Sequence, residues 1–467
     1  MLQEQVIQEL RDIVGSKHVI TADDELALYN GDATPKRQIP GVVVSSGSTE
    51  EVAEVLRLAN RHIIPVVPRG SGTSLSGGST PVPDCILLLT ERMDRIVEID
   101  SGNMTATVQP GVILSRFRNE VESYGLFYPP DPSSMEAATM GGTIGEGAGG
   151  PRSVKYGTTK DYVIGLQVVL PTGEIICTGG KAVKSVSGYD LTHLFVGSEG
   201  TLGIVTEATV RLRPLPEDVR TCLAVFSSVE DAARAVSEII GRHIIPAALE
   251  LLDEVCIKYT EAYRPAGLPL GAGAVLLIDV DGSEADTERD LRRVAEAVES
   301  CGAQQVLVAD TRRQREALWE ARRASFNAMS LARPNTIVED ATVPRPRLLD
   351  MIVAVRRLAA RHSLQVAIAA HAGDGNLHPR ILCDITQEDE MRRVEAFIED
   401  LFRETLALGG TLTGEHGIGT LKAPFLAWQF GEAGVGAMRS IKNALDPNNI
   451  LNPGKMFPSP GGKFTIV

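Results

Sequence analysis

Two short segments near the end of the chain carry the side chains best suited to chemistry. Residues 371–378 (HAGDGNLH) and 414–417 (GEHG) together hold three of the chain's eight histidines and a glutamate. Imidazole and carboxylate groups are the usual protein ligands of zinc and similar divalent ions. A site with three protein ligands keeps one coordination position open, which is the property of a catalytic ion. The two segments therefore predict a catalytic metal site.

The spacing of the histidines restricts how they can be presented. His371 and His378 are seven residues apart, too far for one turn of a helix. The intervening Gly373–Asn376 predicts a strand–turn–strand or a bulged loop. Histidines that merely cap a turn are the structural alternative, and the clustering of three favours the metal site over it.

Two glycine-rich stretches lie upstream, at Arg69–Gly78 (RGSGTSLSGG) and Thr139–Arg152 (TMGGTIGEGAGGPR). Glycine lets backbone N–H groups approach a phosphate with no Cβ in the way. The first stretch has neither the spacing of a nicotinamide-binding turn nor the Gly-Lys-Ser/Thr of an ATP-binding loop. A tight structural turn is the alternative for the first stretch and a flexible linker for the second. The sequence favours a phosphate-bearing cofactor other than NAD or ATP.

The second stretch has a composition that argues against regular structure. Six of the twelve residues 141–152 are glycine, which disfavours a helix in a core. We therefore expect residues 129–150 to form a loop whose backbone lies flat against a planar ring or a pyrophosphate.

Length and composition exclude several classes of protein. At 467 residues the chain is expected to fold as two or three domains. A net charge of −14 disfavours nucleic acid or an anionic membrane as the main partner. The six cysteines form no C-x-x-C pair, which disfavours an iron–sulfur cluster and a disulfide framework. With no secretory signal and no long apolar run, we expect a soluble cytoplasmic protein, associated with a membrane only through partners.

The spacing of apolar residues predicts a mixed chain of helices and strands. Residues 1–30 are expected to be helical, and a second helix is expected to open at Thr49 as its N-cap. After residue 215 a strand–helix–strand rhythm predicts an antiparallel sheet with helices on one side. A strand over Val366–Ala370 should end at His371, and Asp446–Lys455 should form a packed tail.

Five motifs in order along the chain resemble a known cofactor-binding domain. They are Pro68–Ser74, Pro129–Ser133, Gly141–Arg152, Lys155–Gly157 and Ser198–Thr206. Together they resemble the FAD-binding domain of the vanillyl-alcohol oxidase flavoprotein superfamily. The two histidine segments resemble its D-2-hydroxyacid dehydrogenase branch, closest to the group of glycolate oxidase D subunits and D-lactate dehydrogenases. The resemblance covers nearly the whole chain.

The resemblance implies an α+β fold in three parts. A two-subdomain FAD-binding domain of the PCMH type is expected over residues 1–215. A ferredoxin-like substrate (cap) domain is expected over 216–408, and a C-terminal segment over 409–467 returns to the flavin. Some relatives attach FAD through a histidine in the first glycine-rich loop; because Arg69–Gly78 has none, we expect FAD to bind non-covalently.

The resemblance also implies a set of site residues. The metal ligands would be His371, His378 and Glu415, with zinc as the first choice of divalent ion and manganese or iron as alternatives. The residues expected to hold FAD are Arg69, Gly70, Ser71, Gly72, Thr73, Ser74, Leu75, Pro130, Asp131, Ser133, Thr139, Gly142, Gly145, Gly149, Gly150, Tyr156, Glu199, Gly203, Ile204 and Asn452.

By the same resemblance, two residues would act on the substrate. His416 would take the hydroxyl proton of a 2-hydroxy acid as general base, and Arg322 would hold its carboxylate. Relatives that oxidise D-2-hydroxyglutarate have a threonine where this chain has Phe326 and an asparagine where it has Pro379-Arg380. Phe326 therefore favours a small substrate such as glycolate or D-lactate, while Arg380 has no role by resemblance.

The expected partners are a small 2-hydroxy acid and an external electron acceptor, either a protein or a quinone. A second flavoprotein-like subunit and an iron–sulfur subunit are implied by the resemblance to glycolate oxidase. A D-2-hydroxyglutarate-type dehydrogenase, a metal-free FAD-dependent oxidase of alcohols or phenols, and a metal-dependent hydrolase with a nucleotide-binding domain are the alternative functions. Sequence leaves the substrate, the metal, the electron acceptor and the oligomeric state open.

Overall fold

A computed structural model of the protein describes residues 2–457 and 464–466. Within these residues the strands are β1 (Val19–Ile20), β2 (Val42–Ser45), β3 (Val66–Arg69), β4 (Ile86–Leu89), β5 (Ile96–Asp100), β6 (Thr105–Val108), β7 (Leu126–Phe127), β8 (Val163–Val169), β9 (Ile175–Gly179), β10 (Ile204–Arg211), β11 (Arg213–Pro214), β12 (Asp218–Phe226), β13 (Ala248–Asp253), β14 (Ala274–Gly282), β15 (Gln305–Val308), β16 (Asn335–Val338), β17 (Ala341–Thr342), β18 (Gln365–His371) and β19 (Asn376–Cys383).

The α-helices of the same residues are α1 (Glu4–Val14), α2 (Asp23–Leu26), α3 (Thr49–His62), α4 (Leu114–Glu122), α5 (Met140–Glu146), α6 (Ser153–Tyr156), α7 (Thr159–Tyr162), α8 (Leu191–Phe195), α9 (Val229–Gly241), α10 (Glu254–Tyr263), α11 (Glu284–Ser300), α12 (Arg312–Ala324), α13 (Leu348–Arg361), α14 (Glu388–Ala407) and α15 (Leu426–Leu445). None of the helices in the described part of the chain combines the length and the apolar character that a bilayer span requires.

The chain divides into two compact units. The first comprises residues 1–149, 158–215 and 415–467, and the second comprises residues 150–157 and 216–414. The predicted boundaries differ in two respects, because residues 150–157 belong to the second unit and the C-terminal return begins at Glu415 rather than at residue 409. Met1, residues 458–463 and Val467, which the predicted first and last segments include, lie outside the described residues.

The first unit contains two sheets of different construction. In the first sheet, β3, β4 and β2 run parallel and β1 joins antiparallel, in the order β1-β2-β4-β3. Strands β2 and β4 are buried throughout and almost entirely apolar because both faces are covered, which is the usual condition of parallel strands. The second sheet is antiparallel, in the order β5-β6-β10-β8-β9, and strands β8 and β9 form a hairpin.

Two expectations for the N-terminal region are wrong in detail. The predicted helix over residues 1–30 ends at Val14, because Gly15 takes φ +87° and the chain turns into β1. The cap of α3 is Ser48 rather than Thr49, since the Ser48 side chain accepts the Glu51 N–H at 3.2 Å.

The glycine-rich stretch contains a helix where a loop was expected. Helix α5 (Met140–Glu146) begins at Thr139, whose hydroxyl accepts the Gly142 N–H at 3.2 Å. Met140, Thr143 and Ile144 are buried, so this short helix is anchored in the core despite its glycines. An N-cap and three buried side chains therefore outweigh the low helix propensity of Gly141, Gly142 and Gly145.

The second unit is built on one antiparallel sheet. Its main strand order is β15-β12-β14-β13-β18-β19-β16, and β17 also pairs with β19. Residues of α10 and α12 form a core with alternate residues of β12, β14, β13 and β18, whereas α9, α11, α13 and α14 pack together on the other side. The expectation of helices on one side only is therefore wrong. A strand–helix–strand rhythm does not reveal which face of a sheet a crossing helix will cover.

Candidate active site

One face of the sheet in the second unit carries a row of polar side chains. Glu250 of β13 lies opposite His371 of β18, and Ala369 of β18 lies opposite His378 of β19. Residues that face each other across a ladder, and alternate residues of one strand, share a face. Glu250, His371, His378 and Arg380 therefore lie on the same face, and all four are buried. The predicted strand–turn–strand between the two histidines is confirmed by the β18–β19 pairing.

Glu250 is the buried carboxylate at the centre of this row. The Nδ1 atom of His371 lies 2.8 and 2.9 Å from the two Glu250 oxygens, and Arg322 Nη2 lies 2.6 Å from Oε2. Burial by itself would raise the pKa of Glu250, but the attraction of His371 and Arg322 outweighs it and lowers the pKa. An ionised Glu250 holds a proton on His371 Nδ1, so the lone pair of His371 belongs to Nε2.

His378 has a carboxylate partner of its own. Its Nδ1 atom lies 3.2 Å from Asp340 Oδ1, and its ring stands edge-on to that of His371 with 4.9 Å between centroids. Both imidazoles thus turn Nδ1 towards a buried carboxylate. For His371 the hydrogen bond to the carboxylate fixes the tautomer and makes Nε2 more basic, as it does for metal-ligating histidines. For His378 the contact with Asp340 is electrostatic rather than an aligned hydrogen bond. The donor types therefore fit a zinc-like ion.

Asp340 also fixes the chain that leads to the remaining predicted site residues. Its Oδ2 atom accepts hydrogen bonds from Thr413 Oγ1 at 2.7 Å and from the Gly414 N–H at 3.0 Å. Glu415 and His416 follow Gly414 directly in the chain. The carboxylate beside His378 therefore restrains the peptide from which the predicted third ligand and the predicted base emerge.

The first glycine-rich loop follows the carboxyl end of β3, the edge of a parallel sheet where ligands commonly bind. Arg69 Nη1 donates to the Gly31 carbonyl at 2.6 Å, and Ser71 Oγ donates to the Ala137 carbonyl. A Cβ on Gly70 would lie 2.3 Å from Thr139 Oγ1, which brings this loop against the start of α5. The structure thereby brings together predicted cofactor residues from both glycine-rich stretches.

Helix α5 presents an uncovered side. Gly142 and Gly145 are three residues apart and so share a face of the helix. A Cβ at Gly145 would meet no atom within 4 Å, and one at Gly142 would meet only Thr139 Oγ1 at 3.2 Å. A bare helical face beside a glycine-rich loop suits a planar ring with an attached phosphate, so these residues fit FAD.

The C-terminal segment of the first unit binds the end of the first glycine-rich loop. Asn452 Nδ2 donates to the carbonyl oxygens of Gly78 at 2.9 Å and Glu199 at 2.7 Å. Lys455 Nζ donates to the carbonyls of Gly77 at 3.0 Å and Thr80 at 2.6 Å. The predicted packed tail over Asp446–Lys455 is confirmed, since Ile450 and Leu451 are fully buried.

Other predicted cofactor residues have contacts within the chain. A Cβ on Gly203 would lie 2.5 Å from Val168 Cγ1, so the close packing of Gly203 against Val168 requires glycine. Ile204, the next residue, is the first residue of β10. Tyr156 donates its hydroxyl to Asp281 Oδ2 at 2.7 Å, and the Gly150 N–H donates to Ser153 Oγ at 3.1 Å; all four belong to the second unit. The remaining members of the predicted set lie in the first unit, in the loop after β3 (Gly72, Thr73, Ser74, Leu75), between β7 and α5 (Pro130, Asp131, Ser133) and after α5 (Gly149).

A pair of carboxyl groups holds the chain just after His416. Glu199 accepts the Ile418 N–H at 2.6 Å and the Gly419 N–H at 2.7 Å. A Cβ on Gly417 would lie 2.1 Å from Glu146 Oε2, which is sealed from solvent and has no hydrogen-bond partner among the described residues. Burial, and then the charge of Glu199, raise the pKa of Glu146 well above its ordinary value. Burial raises the pKa of Glu199 as well, but its two amide hydrogen bonds favour the ionised form, so Glu146 is the carboxyl of the pair that holds a proton more readily.

We expect Glu146→Gln to stabilise the protein at alkaline pH. A carboxyl whose pKa is raised on folding binds more protons in the folded state, so stability falls as the pH rises from about 4.5 through the folded pKa. Glutamine cannot ionise, so the substitution removes a pH dependence of the free energy of unfolding of up to about 1.4 kcal/mol per pH unit. Thermal unfolding of the FAD-loaded protein should show a Tm gain over wild type that grows from pH 5 to pH 8.

The neighbouring carboxyl provides the matched comparison for this experiment. Glu199→Gln should lower Tm at both pH values, because one of the two amide donors at Ile418 and Gly419 loses its acceptor. A Glu146→Gln protein whose Tm falls in parallel with that of Glu199→Gln would contradict the protonated state of Glu146.

Known proteins are similar in sequence to this chain over its full length. Residues 215–456 match the model of the C-terminal domain of FAD-linked oxidases, and residues 40–179 match that of an FAD-binding domain. The chain belongs to the FAD-linked oxidases. This FAD-linked oxidase is 48% identical to glycolate oxidase subunit GlcD of Bacillus subtilis over the full length of both chains. It is 36% identical to D-lactate dehydrogenase of Anaerostipes hadrus over 97% of each chain.

The solved structures agree on the fold. 4-Ethylphenol oxidase from Gulosibacter chungangensis superimposes with a TM-score of 0.81 at 19% identity, covering 98% of each chain. The predicted fold, the PCMH-type FAD-binding domain with a second α+β domain, is thereby confirmed. The FAD-linked oxidase is an oxidoreductase with an FAD-binding domain, as the sequence predicted.

Sequence reasoning missed several residues that the site uses. Glu250 is a charged residue inside the apolar run ALELLD of β13, and such a residue is a signal that it has a buried partner. Asp340 and Glu146 carried no comparable signal. The resemblance gives Arg380 no role, although a cation inside the buried strand β19 is equally unusual.

Proposed function

We propose that this FAD-linked oxidase oxidises a small D-2-hydroxy acid, glycolate or D-lactate, to the 2-oxo acid. The relatives named glycolate oxidase subunit and D-lactate dehydrogenase support the substrate class. The observation that carries the metal-dependent part of the proposal is the pair of buried contacts Glu250–His371 and Asp340–His378. A metal-free oxidase of alcohols or phenols has no need of two imidazoles oriented in this way.

His371, His378 and Glu415 are the proposed metal ligands, with FAD bound non-covalently by the first unit. Two imidazoles and a carboxylate suit zinc, and manganese or iron are the alternatives. A divalent ion, when bound, lowers the pKa of a hydroxyl that ligates it. FAD, when bound, supplies the hydride acceptor. Asp340 is a further carboxylate beside His378, and its bonds to Thr413 and Gly414 favour a role in orienting the ligands.

The residues of the chain then account for the proton and the carboxylate. His416 receives the proton of the substrate hydroxyl as the Cα hydrogen leaves with its electron pair, and the carbinol carbon becomes a carbonyl. Arg322 lies within the buried cluster, where its positive charge attracts the substrate carboxylate. Phe326 follows α12 and is half-buried, and its bulk favours a short substrate tail.

The electrons are proposed to leave to an external acceptor, a protein or a quinone. The relative from Bacillus subtilis is named a subunit, which supports the proposal of partner chains. A second flavoprotein-like subunit and an iron–sulfur subunit are the proposed partners in a cytoplasmic complex.

Anaerobic bleaching of the flavin by a panel of D- and L-2-hydroxy acids tests the proposal. Glycolate, which is achiral, or D-lactate should reduce the flavin, L-2-hydroxy acids should not, and chelation should abolish the reduction until a divalent ion is restored. If reduction of the flavin survives complete chelation, the metal-dependent chemistry is wrong. A metal-loaded yellow protein that no 2-hydroxy acid reduces, even with its co-purifying chains present, would contradict the substrate class.

A further inference from the structure

Arg380 is a buried cation whose neighbours do not neutralise it. It is only 4% exposed, and among the described residues its one side-chain hydrogen bond is a long one, from Nη1 to Cys256 Sγ at 3.8 Å. Its Nε–H is buried and makes no hydrogen bond to residues 2–457 or 464–466. A buried guanidinium without a carboxylate is costly, because the charge has lost its hydration without gaining an ion pair.

The nearby carboxylates are already engaged. Glu250 is bound by His371 and Arg322. Asp253 accepts the Cys256 N–H at 2.9 Å through Oδ1 and the Ile368 N–H at 2.8 Å through Oδ2. Among the described residues neither carboxylate forms a direct ion pair with Arg380, although the charges of Asp253 and Glu250 both act on it. An anion from outside the chain would supply a direct partner.

Arg322 has a spare donor in the same cluster. Its Nη2 binds Glu250, but its Nε–H is buried and makes no hydrogen bond within the described part of the chain. Arg322 binds Glu250, which in turn contacts His371. The ring of His371 stands edge-on to that of His378, two residues before Arg380 on β19, so both guanidinium groups belong to one cluster on this face of the sheet. Two unused N–H donors on two neighbouring cations match the two oxygens of one carboxylate.

The position of Arg380 relates this donor pair to the proposed metal ligands. Arg380 and His378 are alternate residues of β19, so they share a face at a separation of about 7 Å along the strand. The residues opposite them on β18 are Ala367 and Ala369, whose side chains are small and buried. A small acid that reaches His378 through a metal ion would also reach Arg380.

We propose that Arg380, together with Arg322, binds the carboxylate of the substrate and makes the enzyme selective for 2-hydroxy acids over neutral diols. This inference rests on the proposed function, and it names the residue that selects the acid. Removing a cation that serves a ligand and removing a cation that serves the fold should change the stability of the ligand-free protein in opposite directions. Its removal from the ligand-free protein relieves an uncompensated charge, whereas removal of a structural arginine leaves a broken ion pair.

The test uses oxamate, a non-oxidisable anion with the shape of a small 2-hydroxy acid, and oxamide, its neutral analogue. Dissociation constants would be measured by titration of the FAD- and metal-loaded protein, and Tm would be recorded without ligand. Arg380→Met should weaken oxamate binding at least 30-fold, leave oxamide binding unchanged and not lower Tm. Arg380→Lys should recover part of the oxamate affinity. Arg333→Met, which removes a surface partner of Glu390 in the same unit, is the matched control and should change neither affinity.

Two results would overturn the inference. One is an oxamate affinity within threefold of wild type in Arg380→Met, and the other is an equal loss of oxamate and oxamide binding accompanied by a lower Tm. Flavin reduction by the acid panel separates the inference from the proposed function. If glycolate and D-lactate reduce the flavin and Arg380→Met leaves KM unchanged, the function stands and the carboxylate site is wrong. If oxamate binding depends on Arg380 but no hydroxy acid reduces the flavin, the site stands and the proposed substrate is wrong.

Discussion

Replacing His378 with alanine should remove the metal ion and the activity together while leaving bound FAD and its visible spectrum intact. His378 is one of the two imidazoles that the described strands β18 and β19 place on the polar face of the sheet, and its Nδ1 lies beside Asp340. Loss of one of three ligands opens the site and removes the ion that acidifies the hydroxyl. We expect the rate of anaerobic flavin reduction to fall at least about 100-fold, because such an ion supplies several kcal/mol.

His362→Ala provides the matched control in the same unit. His362 is also largely buried and also contacts a carboxylate, with Nε2 lying 3.0 Å from Asp400 Oδ2. Its loss should cost some stability but leave the metal content and the flavin reduction rate near those of wild type. Metal per flavin would be measured by elemental analysis. A His378→Ala protein that retains both its metal and its turnover would remove His378 from the ligand set.

The histidine segments show what a sequence reveals about such a site. The imidazoles lie at the two ends of a hairpin turn, and short-range spacing with glycines between them is enough to predict that arrangement. Their supporting carboxylates could not be found in the same way. Glu250 lies 121 residues before His371, and the contact exists only because β13 pairs with β18 in one particular register. Strand order and register in a sheet of this length are decided by packing over the whole unit, and no local pattern encodes them.

The glycine-rich helix shows the opposite case, in which local propensity alone predicts the wrong structure. Six glycines predicted a loop over residues 129–150, yet α5 forms there. The information that decided the outcome was present in the sequence as Thr139, a good N-cap, and as Met140 and Ile144 at helical spacing. Glycine costs the helix about 1 kcal/mol per residue, but it also permits the approach of Gly141 to Pro110, where a Cβ would lie 2.6 Å from Pro110 Cβ. Tertiary packing therefore compensates for a poor propensity.

His416→Ala should abolish flavin reduction while keeping both FAD and metal. The proposed role of His416 is to accept the hydroxyl proton as the hydride leaves, and alanine offers no acceptor. Proton transfer to a positioned base contributes about 10² to 10⁴ in rate, and a loss of that size is expected in the anaerobic reduction rate by glycolate or D-lactate. Exogenous imidazole should restore part of the rate. His193→Ala is a suitable control, since His193 is exposed and pairs with Asp190 and the Lys160 carbonyl.

The turn after His416 allows its chemical role to be distinguished from its placement. Gly417 and Gly419 both adopt positive φ, and Glu199 binds the amides of Ile418 and Gly419, so the backbone beside His416 is fixed by a carboxylate rather than by the imidazole itself. Glu199→Gln should therefore lower the reduction rate by misplacing an intact base, and imidazole should not rescue it. Rescue of His416→Ala alone would assign the proton transfer to the side chain. Equal rescue of both variants, or a His416→Ala enzyme that reduces its flavin at the wild-type rate, would show that the base lies elsewhere.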